Sequence, residues 1–294
     1  MPLLLIAASV GAAAWLAAAE PTAFAQSPRH VLERAGTYVV GYGKALADVI
    51  GEEQYTQRLV ARDGSPIESR VLDSEIAFVG LAGSEEWQAF RNVLRVDGAP
   101  VQGAERRLER VLRDPPRSIA AQARLIAHES ARYNLGPLQR NFNAPTMPLQ
   151  FLHPSHQDRA RFDKRGEETI AGERAWILRF RERRRSTLIR SPEGRDVPVE
   201  GLMWIVPADG RVLRATFFVT DFLPSPRGST TTSRADLDVT WRHDERLGIS
   251  LPAEMHERYA GPWMAGTEPY DIVGHARYAN YRRFEVDVRI GPVR

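Results

Sequence analysis

The chain has 294 residues, enough for one large domain or two ordinary ones, and its 43% hydrophobic and 26% charged residues are typical of a globular protein. Its 40 basic and 37 acidic residues give a formal charge of only +3, and among the basic residues only Lys44 and Lys164 are lysines. Cysteine is absent, which excludes disulfides, thiolate metal sites, cysteine nucleophiles and cysteine-linked lipid anchors.

The amino terminus has the pattern of an export signal. Residues 3–19 carry no charge and are rich in alanine and leucine. Ala23-Phe24-Ala25 then supplies the small-x-small pattern of a cleavage site. We predict a signal peptide over residues 1–25, cleaved near Ala25, and a periplasmic or secreted mature protein. A membrane anchor is the alternative, but a stretch of about 17 residues is at or below the usual spanning length.

Residues 26–294 are predicted to form a single domain that begins with a helix and a few strands. Apolar residues at three- and four-residue steps predict the helix over about 29–51. Strands are predicted over about 53–61, 69–81 and 86–96, with turns at Asp63-Gly64-Ser65-Pro66 and Asp97-Gly98.

A helix-rich insert is predicted over about 103–152. Its first helix covers about 103–113, and its second covers about 118–134. Ser118 is the expected N-cap of the second helix, and Gly136 lies where a C-terminal cap belongs.

The carboxy-terminal half has the period of two that is typical of half-buried strands. Trp176, Leu178 and Phe180, for example, alternate with Arg179 and Arg181. The short spacing between such segments favours hairpins and an antiparallel sheet with one apolar face. About nine strands with few helices to cover them are expected to curl around an incompletely filled, apolar trough. We therefore predict an α+β fold, in which a few helices cover a curved, mostly antiparallel sheet that forms an open half-barrel.

This order of elements resembles the periplasmic lipoprotein-carrier family, the LolA-like half-barrels. The local segments that carry the resemblance are Trp87 to Asp97-Gly98, Leu202-Met203-Trp204-Ile205 followed by the turn at 207–210, and Leu251-Pro252-Ala253-Glu254-Met255. The chain also resembles a group of uncharacterised exported bacterial proteins through its segments at 131–137 and 140–143. The resemblance implies a LolA-like fold in which the sheet and a helical lid hold acyl chains.

Candidate ligand-binding residues follow from these patterns. The aromatic residues predicted to line a cavity are Trp87, Phe90, Trp176, Trp204, Phe217, Trp241 and Tyr278. Arg179 and Arg181 lie on the polar face of their strand and are candidates for binding an anionic head group. The alternatives are ordinary core positions for the aromatic residues and a solvated, carboxylate-paired surface for the arginines.

Motifs for catalysis or cofactor binding are weak. The Gly41-x-Gly43 pair lies inside a predicted helix and lacks the third glycine of a dinucleotide site. His153 and His156, with Asp158, form the most metal-like cluster, but one histidine pair falls short of the three ligands that zinc needs. We predict no catalytic residue, no cofactor and no metal site.

Adjacent carboxylates give no acid/base couple either. The pairs are Glu52-Glu53, Glu85-Glu86 and Glu167-Glu168. On a strand, neighbours in sequence point to opposite faces, so we expect these side chains to be solvated. A surplus of basic residues is compatible with binding to nucleic acid, but export separates the protein from nucleic acid, and no nucleic-acid partner is predicted.

The sequence thus predicts an exported, non-enzymatic protein of the bacterial cell envelope that binds an apolar ligand, an acyl chain or the lipid of a lipoprotein, with peripheral membrane contact. The alternative is an envelope interaction or sensor module with a filled core and no small ligand. A hydrolase or metal enzyme assembled from distant segments stays open, above all if His153 and His156 meet a third ligand. The oligomeric state is not predicted.

Overall fold

The structure is a computed structural model. It describes residues 27–47, 49–80, 87–107, 119–138, 140, 143–191, 194–222, 233–265 and 268–283. The predicted signal peptide over residues 1–25 lies outside these ranges. Within them, none of the helices has both the length and the apolar character needed to cross a bilayer.

The amino-terminal half contains α1 (Pro28–Leu46), β1 (Val49–Ala61), β2 (Pro66–Gly80), β3 (Trp87–Val96), β4 (Ala99–Pro100) and α2 (Ile119–Ala131). Two short 3-10 helices follow, Met147–Leu152 and Gln157–Arg159. The carboxy-terminal half contains β5 (Ala160–Ile170), β6 (Glu173–Glu182), β7 (Val199–Ile205), β8 (Val212–Thr220), β9 (Arg234–Asp244), β10 (Ile249–Ala265) and β11 (Glu268–Arg283).

The eleven strands of the described residues belong to one sheet, in the order β4-β3-β2-β1-β11-β10-β9-β8-β7-β6-β5. Every neighbouring pair is antiparallel. The chain thus forms two meanders, β1–β4 and β5–β11, which meet where β1 pairs with β11. Because β4 and β5 end the order at opposite sides, the sheet is open, and the predicted open antiparallel sheet is confirmed. It has eleven strands rather than the expected nine or so.

Helix α1 begins as the sequence predicts but ends earlier. The side chain of Ser27 accepts a hydrogen bond from the backbone N–H of His30, 3.3 Å away, and so caps the first turn. The helix ends at Leu46, and Ala47 is already extended. The predicted helix over 47–51 is wrong, because Val49 and Ile50 pair with β11 and start β1.

The insert contains less regular structure than predicted. Of the helix expected over about 103–113, residues 104–107 are helical and the remainder lies outside the described residues. The second helix is α2, and its expected N-cap, Ser118, also lies outside them. The helix ends at Ala131, not near residue 134 as predicted. Gly136 has a φ of +82° but lies five residues beyond the end of the helix, so it is not its C-terminal cap.

One face of the sheet, which we call the inner face, holds the main core. Alternate side chains of the strands point to it, and α1 and the first 3-10 helix pack against it. Tyr42 of α1 makes an edge contact with Trp87 of β3, with ring centroids 6.0 Å apart. At the other end of the helix, Gly210 lies directly against the backbone of Arg34 and Ala35. We call the opposite face of the sheet the outer face.

Helix α2 covers an edge of the sheet rather than the middle of the inner face. The hydroxyl of Ser130 accepts a hydrogen bond from the backbone N–H of Arg91 on β3, at 3.0 Å. Ile126 packs against Phe90, Ala77 and other apolar side chains at this edge. The helix therefore protects strand hydrogen-bonding groups that would otherwise be open to pairing with another chain.

The inner face is filled in the described part of the protein. The described residues between Tyr133 and Arg159 lie over it and contribute Leu149, Phe151 and Leu152 to the core. The partly open space beside α2 holds only about 20 Å³, which is room for one water molecule. Among the described residues, the apolar side chains of the inner face are buried, so the expected trough, occupied only in part, is not seen there, because an irregular segment fills the space that the helices leave.

Gly201 on β7 tests this close packing. A Cβ at Gly201 would meet the carbonyl oxygen of Thr216 and would lie 2.8 Å from both Cε1 of Phe180 and Cα of Phe217. We expect Gly201→Ala to lower the free energy of unfolding by about 1–3 kcal/mol, measured by urea denaturation. The control Gly41→Ala has open space around its Cβ and should raise stability by up to about 1 kcal/mol. Equal losses in the two variants would contradict the packing argument.

Candidate binding surfaces

The inner face contains a buried ion pair between β1 and β3. Glu53 and Arg91 are 2% and 4% exposed. Arg91 donates two hydrogen bonds to the Glu53 carboxylate, one from Nε and one from Nη2 at 2.8 Å. The Arg91 guanidinium also lies 4.4 Å from the centre of the Tyr55 ring. The expectation that Glu53 is solvated is wrong, because its strand turns this carboxylate into the core.

A second buried pair joins the insert to β10. The side chains of Arg140 and Glu257 are both fully buried, and Arg140 Nε lies 3.6 Å from Glu257 Oε1. Two tyrosines donate to the same carboxylate: Tyr55 to Oε1, and Tyr259 to Oε2 at 2.8 Å. Burial raises the pKa values of the Tyr55 and Tyr259 hydroxyls well above their ordinary value, so both remain protonated donors.

Backbone and amide groups hold Arg140 in place. Its Nη1 donates to the carbonyl oxygen of Leu135 at 3.0 Å, and its Nη2 donates to Oε1 of Gln57. The same Gln57 oxygen accepts from the backbone N–H of Leu135 at 2.8 Å. Gly274 on β11 is the register partner of both Gln57 and Glu257. Because Gly274 has no side chain, the Glu257 carboxylate can occupy the space where a Cβ would lie. This network fixes the insert to the inner face of the central strands.

The seven aromatic residues predicted to line a cavity are all buried, but the structure divides them between several clusters. Trp87, Trp176, Phe217, Trp241 and Tyr278 belong to the main core of the inner face. Phe90 packs with α2 in a separate cluster. Trp204 belongs to a third cluster, on the outer face, where its Nε1 donates to Glu168 at 2.6 Å. The structure therefore does not bring the seven together around one space.

The two arginines proposed to bind a head group are paired with carboxylates. Arg181 makes two hydrogen bonds to Glu200, one of them at 2.9 Å, and holds the pKa of that carboxyl below its ordinary value. Arg179 lies 3.3 Å from Asp163. An anionic head group would have to displace these carboxylates before it could bind either arginine.

The free edge strand β5 carries the features that prevent strands from pairing with other chains. Its register with β6 shifts between Lys164 and Gly166. Ion pairs lie along it, including Lys164–Glu167 at 2.6 Å and Arg161–Asp163 at 3.1 Å. Charged side chains and a bulge are a common protection of sheet edges.

A groove of about 610 Å³ crosses the outer face over β1 and β8–β11. We call it the outer groove. Phe218 and Val273 supply partly buried apolar surface, and Arg58, Asp236 and His256 supply charged or polar groups around it. The guanidinium of Arg234 lies 4.4 Å from the centre of the Phe218 ring.

Within the described residues, one group of histidine and carboxylate side chains has the proximity that metal binding needs. It consists of Glu254, His256 and His275 beside the outer groove, whose donor atoms all lie within 4.8 Å of one another. The sequence places both histidines on the polar side of their strands. Sequence reasoning missed the group because only the pairing of β10 with β11 brings these side chains together.

The histidine pair singled out from the sequence has other partners. The Nδ1 atom of His153 lies 2.7 Å from Ser155 Oγ, and that of His156 lies 3.1 Å from the carbonyl oxygen of Gln150. The two rings are 5.6 Å apart. The described residues bring no third metal ligand to this pair.

Comparisons with known proteins find likeness in structure only. No family model matches the chain, and no curated protein matches it significantly. A DUF1329 family protein from Desulfovibrio piger is similar, with 12% identity, 90% of this chain and 94% of that chain covered, and a TM-score of 0.40. A putative outer membrane lipoprotein-sorting protein domain from Vibrio parahaemolyticus is also similar, with 12% identity, 88% of this chain and 95% of that chain covered, and a TM-score of 0.37.

The MucA/MucB complex of Pseudomonas aeruginosa also contains a similar chain, with 11% identity, 86% of this chain and 99% of that chain covered, and a TM-score of 0.21. At these identities the likeness is one of fold.

Breaking the buried Arg140–Glu257 pair should strongly destabilise the protein. We expect Arg140→Met to lower the free energy of unfolding by about 3–5 kcal/mol, because it leaves the Glu257 carboxylate buried without its cation. Urea denaturation measures the loss. The double variant Arg140→Met/Glu257→Gln should recover part of it, since no charge is then left unpaired. Arg181→Met, which breaks an exposed pair, should change stability little; a loss as large as that of Arg140→Met would argue against the network.

Proposed function

We propose that the protein is an exported, non-enzymatic binding protein of the bacterial cell envelope, and that it engages a protein partner through the outer groove. Export is inferred from the leader-like pattern of residues 1–25. We propose that residues 26–294 act as one domain, since both meanders share a single sheet. The observation that carries the proposal is the contrast between a filled inner face and a groove on the outer face.

The filled inner face favours a surface site over an internal one. Ligand pockets for small molecules are typically about 300–1,000 Å³. The partly open space described beside α2 holds about 20 Å³, which is far too little for an acyl chain. An internal ligand would have to displace the insert, which Arg140 and Gln57 fasten to the central strands.

The edges of the sheet are poorly suited to strand addition. Helix α2 covers β3 at one edge, where Ser130 already accepts a backbone N–H. Charged side chains and a bulge protect β5 at the other. A partner that added a strand would meet one of these obstacles, so the face of the sheet is the better surface.

The outer groove has the size and chemistry of a peptide site. Its volume of about 610 Å³ is within the range of ligand sites, and it lies over the central strands, which are paired on both sides. Phe218 and Val273 offer apolar contact, while Arg58 and Asp236 offer charges of both signs. This composition fits a partner segment in which an apolar side chain is flanked by charged residues.

Site-specific photo-crosslinking tests the groove. A photoreactive phenylalanine analogue at Phe218, introduced in the bacterium that makes the protein, should give a discrete cross-linked product from the envelope fraction. The same analogue at Ile67 is the control, because Ile67 is an exposed apolar residue on β2, 42% exposed and outside the groove lining. The proposal fails if position 218 gives no product, or if both positions give the same one.

An apolar ligand is the second candidate function. It is favoured by the continuous apolar surface of the inner face, which includes five of the seven predicted aromatic residues. Its cover lies within residues 133–159, whose described part consists of turns and 3-10 helices rather than long helices. An acyl chain, free or attached to a lipoprotein, would gain about 0.8 kcal/mol for each methylene that it buries there, once the cover has moved.

Native mass spectrometry separates the two candidates. Protein purified from a lysate that contains membranes should show the mass of the polypeptide alone, because the inner face is already filled. A bound acyl mass, displaceable by a fluorescent fatty acid, would instead favour the apolar ligand. In that case Arg140→Met, which loosens the cover, should raise the occupied fraction.

A further inference from the structure

The central strands of the outer face bring two histidines and one glutamate together. His256 on β10 and His275 on β11 are direct partners in the register of the sheet. Glu254 lies two residues before His256 and therefore on the same face of β10. We propose that Glu254, His256 and His275 form a binding site for a zinc-like divalent transition metal ion.

The distances between the donor atoms suit a small, nitrogen-binding ion. Glu254 Oε2 lies 3.5 Å from Nε2 of His256 and 3.8 Å from Nε2 of His275. In a tetrahedral zinc site with bonds of about 2.1 Å, neighbouring ligand atoms are about 3.4 Å apart. Both distances from Glu254 are therefore close to an edge of such a tetrahedron, and the donor atoms of the two histidines lie within 4.8 Å of each other.

The Nε2 atom of His275 supports the site independently. It is buried, and no hydrogen-bond partner satisfies it. A buried polar atom without a partner is costly, and a bound cation at this position would remove that cost.

One ring has to turn before both can bind the same ion. The two imidazole rings are stacked 4.1 Å apart, at an angle of 10°, whereas a ring nitrogen binds a metal in the plane of its own ring. The side chain of His256 is 58% exposed, and the outer bond of a histidine side chain rotates over a broad range. Rotation of His256 about χ2 can therefore complete the site without change in the sheet.

Charged neighbours determine how tightly the ion binds. Arg277 is the register partner of Glu254 on β11, and its charge opposes a cation. Asp238 is the register partner of His256 on β9, but Arg214 holds its carboxylate at 2.5 Å. On β1, Thr56 faces His275 and adds no charge. Arg277 is thus the main electrostatic obstacle to the ion.

The donor set points to zinc or a similar ion rather than calcium or magnesium. Imidazole nitrogen is a good ligand for zinc, nickel and copper, whereas calcium and magnesium prefer oxygen ligands. Three protein ligands leave a fourth position for water, on the side of the outer groove that both histidines line. The site does not depend on the proposed partner, since the ion is held by this chain alone.

Titration of the purified full chain with Co²⁺ tests the site. We expect the visible absorption of four-coordinate cobalt to develop and then to disappear when about one equivalent of Zn²⁺ displaces it. His275→Ala and Glu254→Gln should each weaken Zn²⁺ binding, measured by calorimetry, by about tenfold or more. Arg277→Gln should tighten binding, which non-specific binding to surface histidines would not do.

His243→Ala is the matched control, because His243 is an exposed histidine at the end of β9 and outside the group. It should bind Zn²⁺ like the unchanged chain. None of the changed side chains belongs to the inner core, so thermal unfolding should confirm that each variant is folded. The inference is wrong if the unchanged chain gives no cobalt spectrum, or if His243→Ala weakens binding as much as His275→Ala does.

Discussion

The buried balance of charge on the inner face is the constraint on which the rest of the structure depends. Glu53 and Glu257 come from the sheet, and Arg91 and Arg140 complete two ion pairs. Removing charges from water costs several kcal/mol for each ion, so these groups are tolerable only when the strands and the insert are in their native register. The network thereby links the folding of the insert to that of the central strands.

This link explains why the inner face is covered although the sheet itself does not close into a barrel. The two meanders meet at β1 and β11, and the insert that separates them in sequence returns to the same place. Arg140 is buried against the inner face, and Leu149, Phe151 and Leu152, later in the insert, are buried in the core. A sheet that would otherwise form an apolar trough is thus filled by its own connecting segment.

Because the inner face is filled, the outer face is the side of the sheet whose side chains are accessible to a partner or a metal ion. Its central strands are hydrogen-bonded on both sides, so side chains there stand on a rigid support. The outer groove and the group of Glu254, His256 and His275 both lie on these strands. A partner or a metal ion bound there would contact a surface whose geometry the core already fixes.

The sequence by itself determined the strands, their apolar sides and the turns between them, because the period of two and residues such as Asp97 and Gly98 act locally. These two residues indeed take the positive φ values of 50° and 79° that a tight hairpin needs. The open antiparallel sheet followed from the same patterns. Tertiary structure alone decided that Glu53 is buried, that Trp204 and Trp176 face opposite sides, and that His256 meets His275. Each of these features depends on strand register and on the path of the insert, which bring together residues far apart in sequence. A local sequence pattern does not contain the free energy of burial that favours one such arrangement over another.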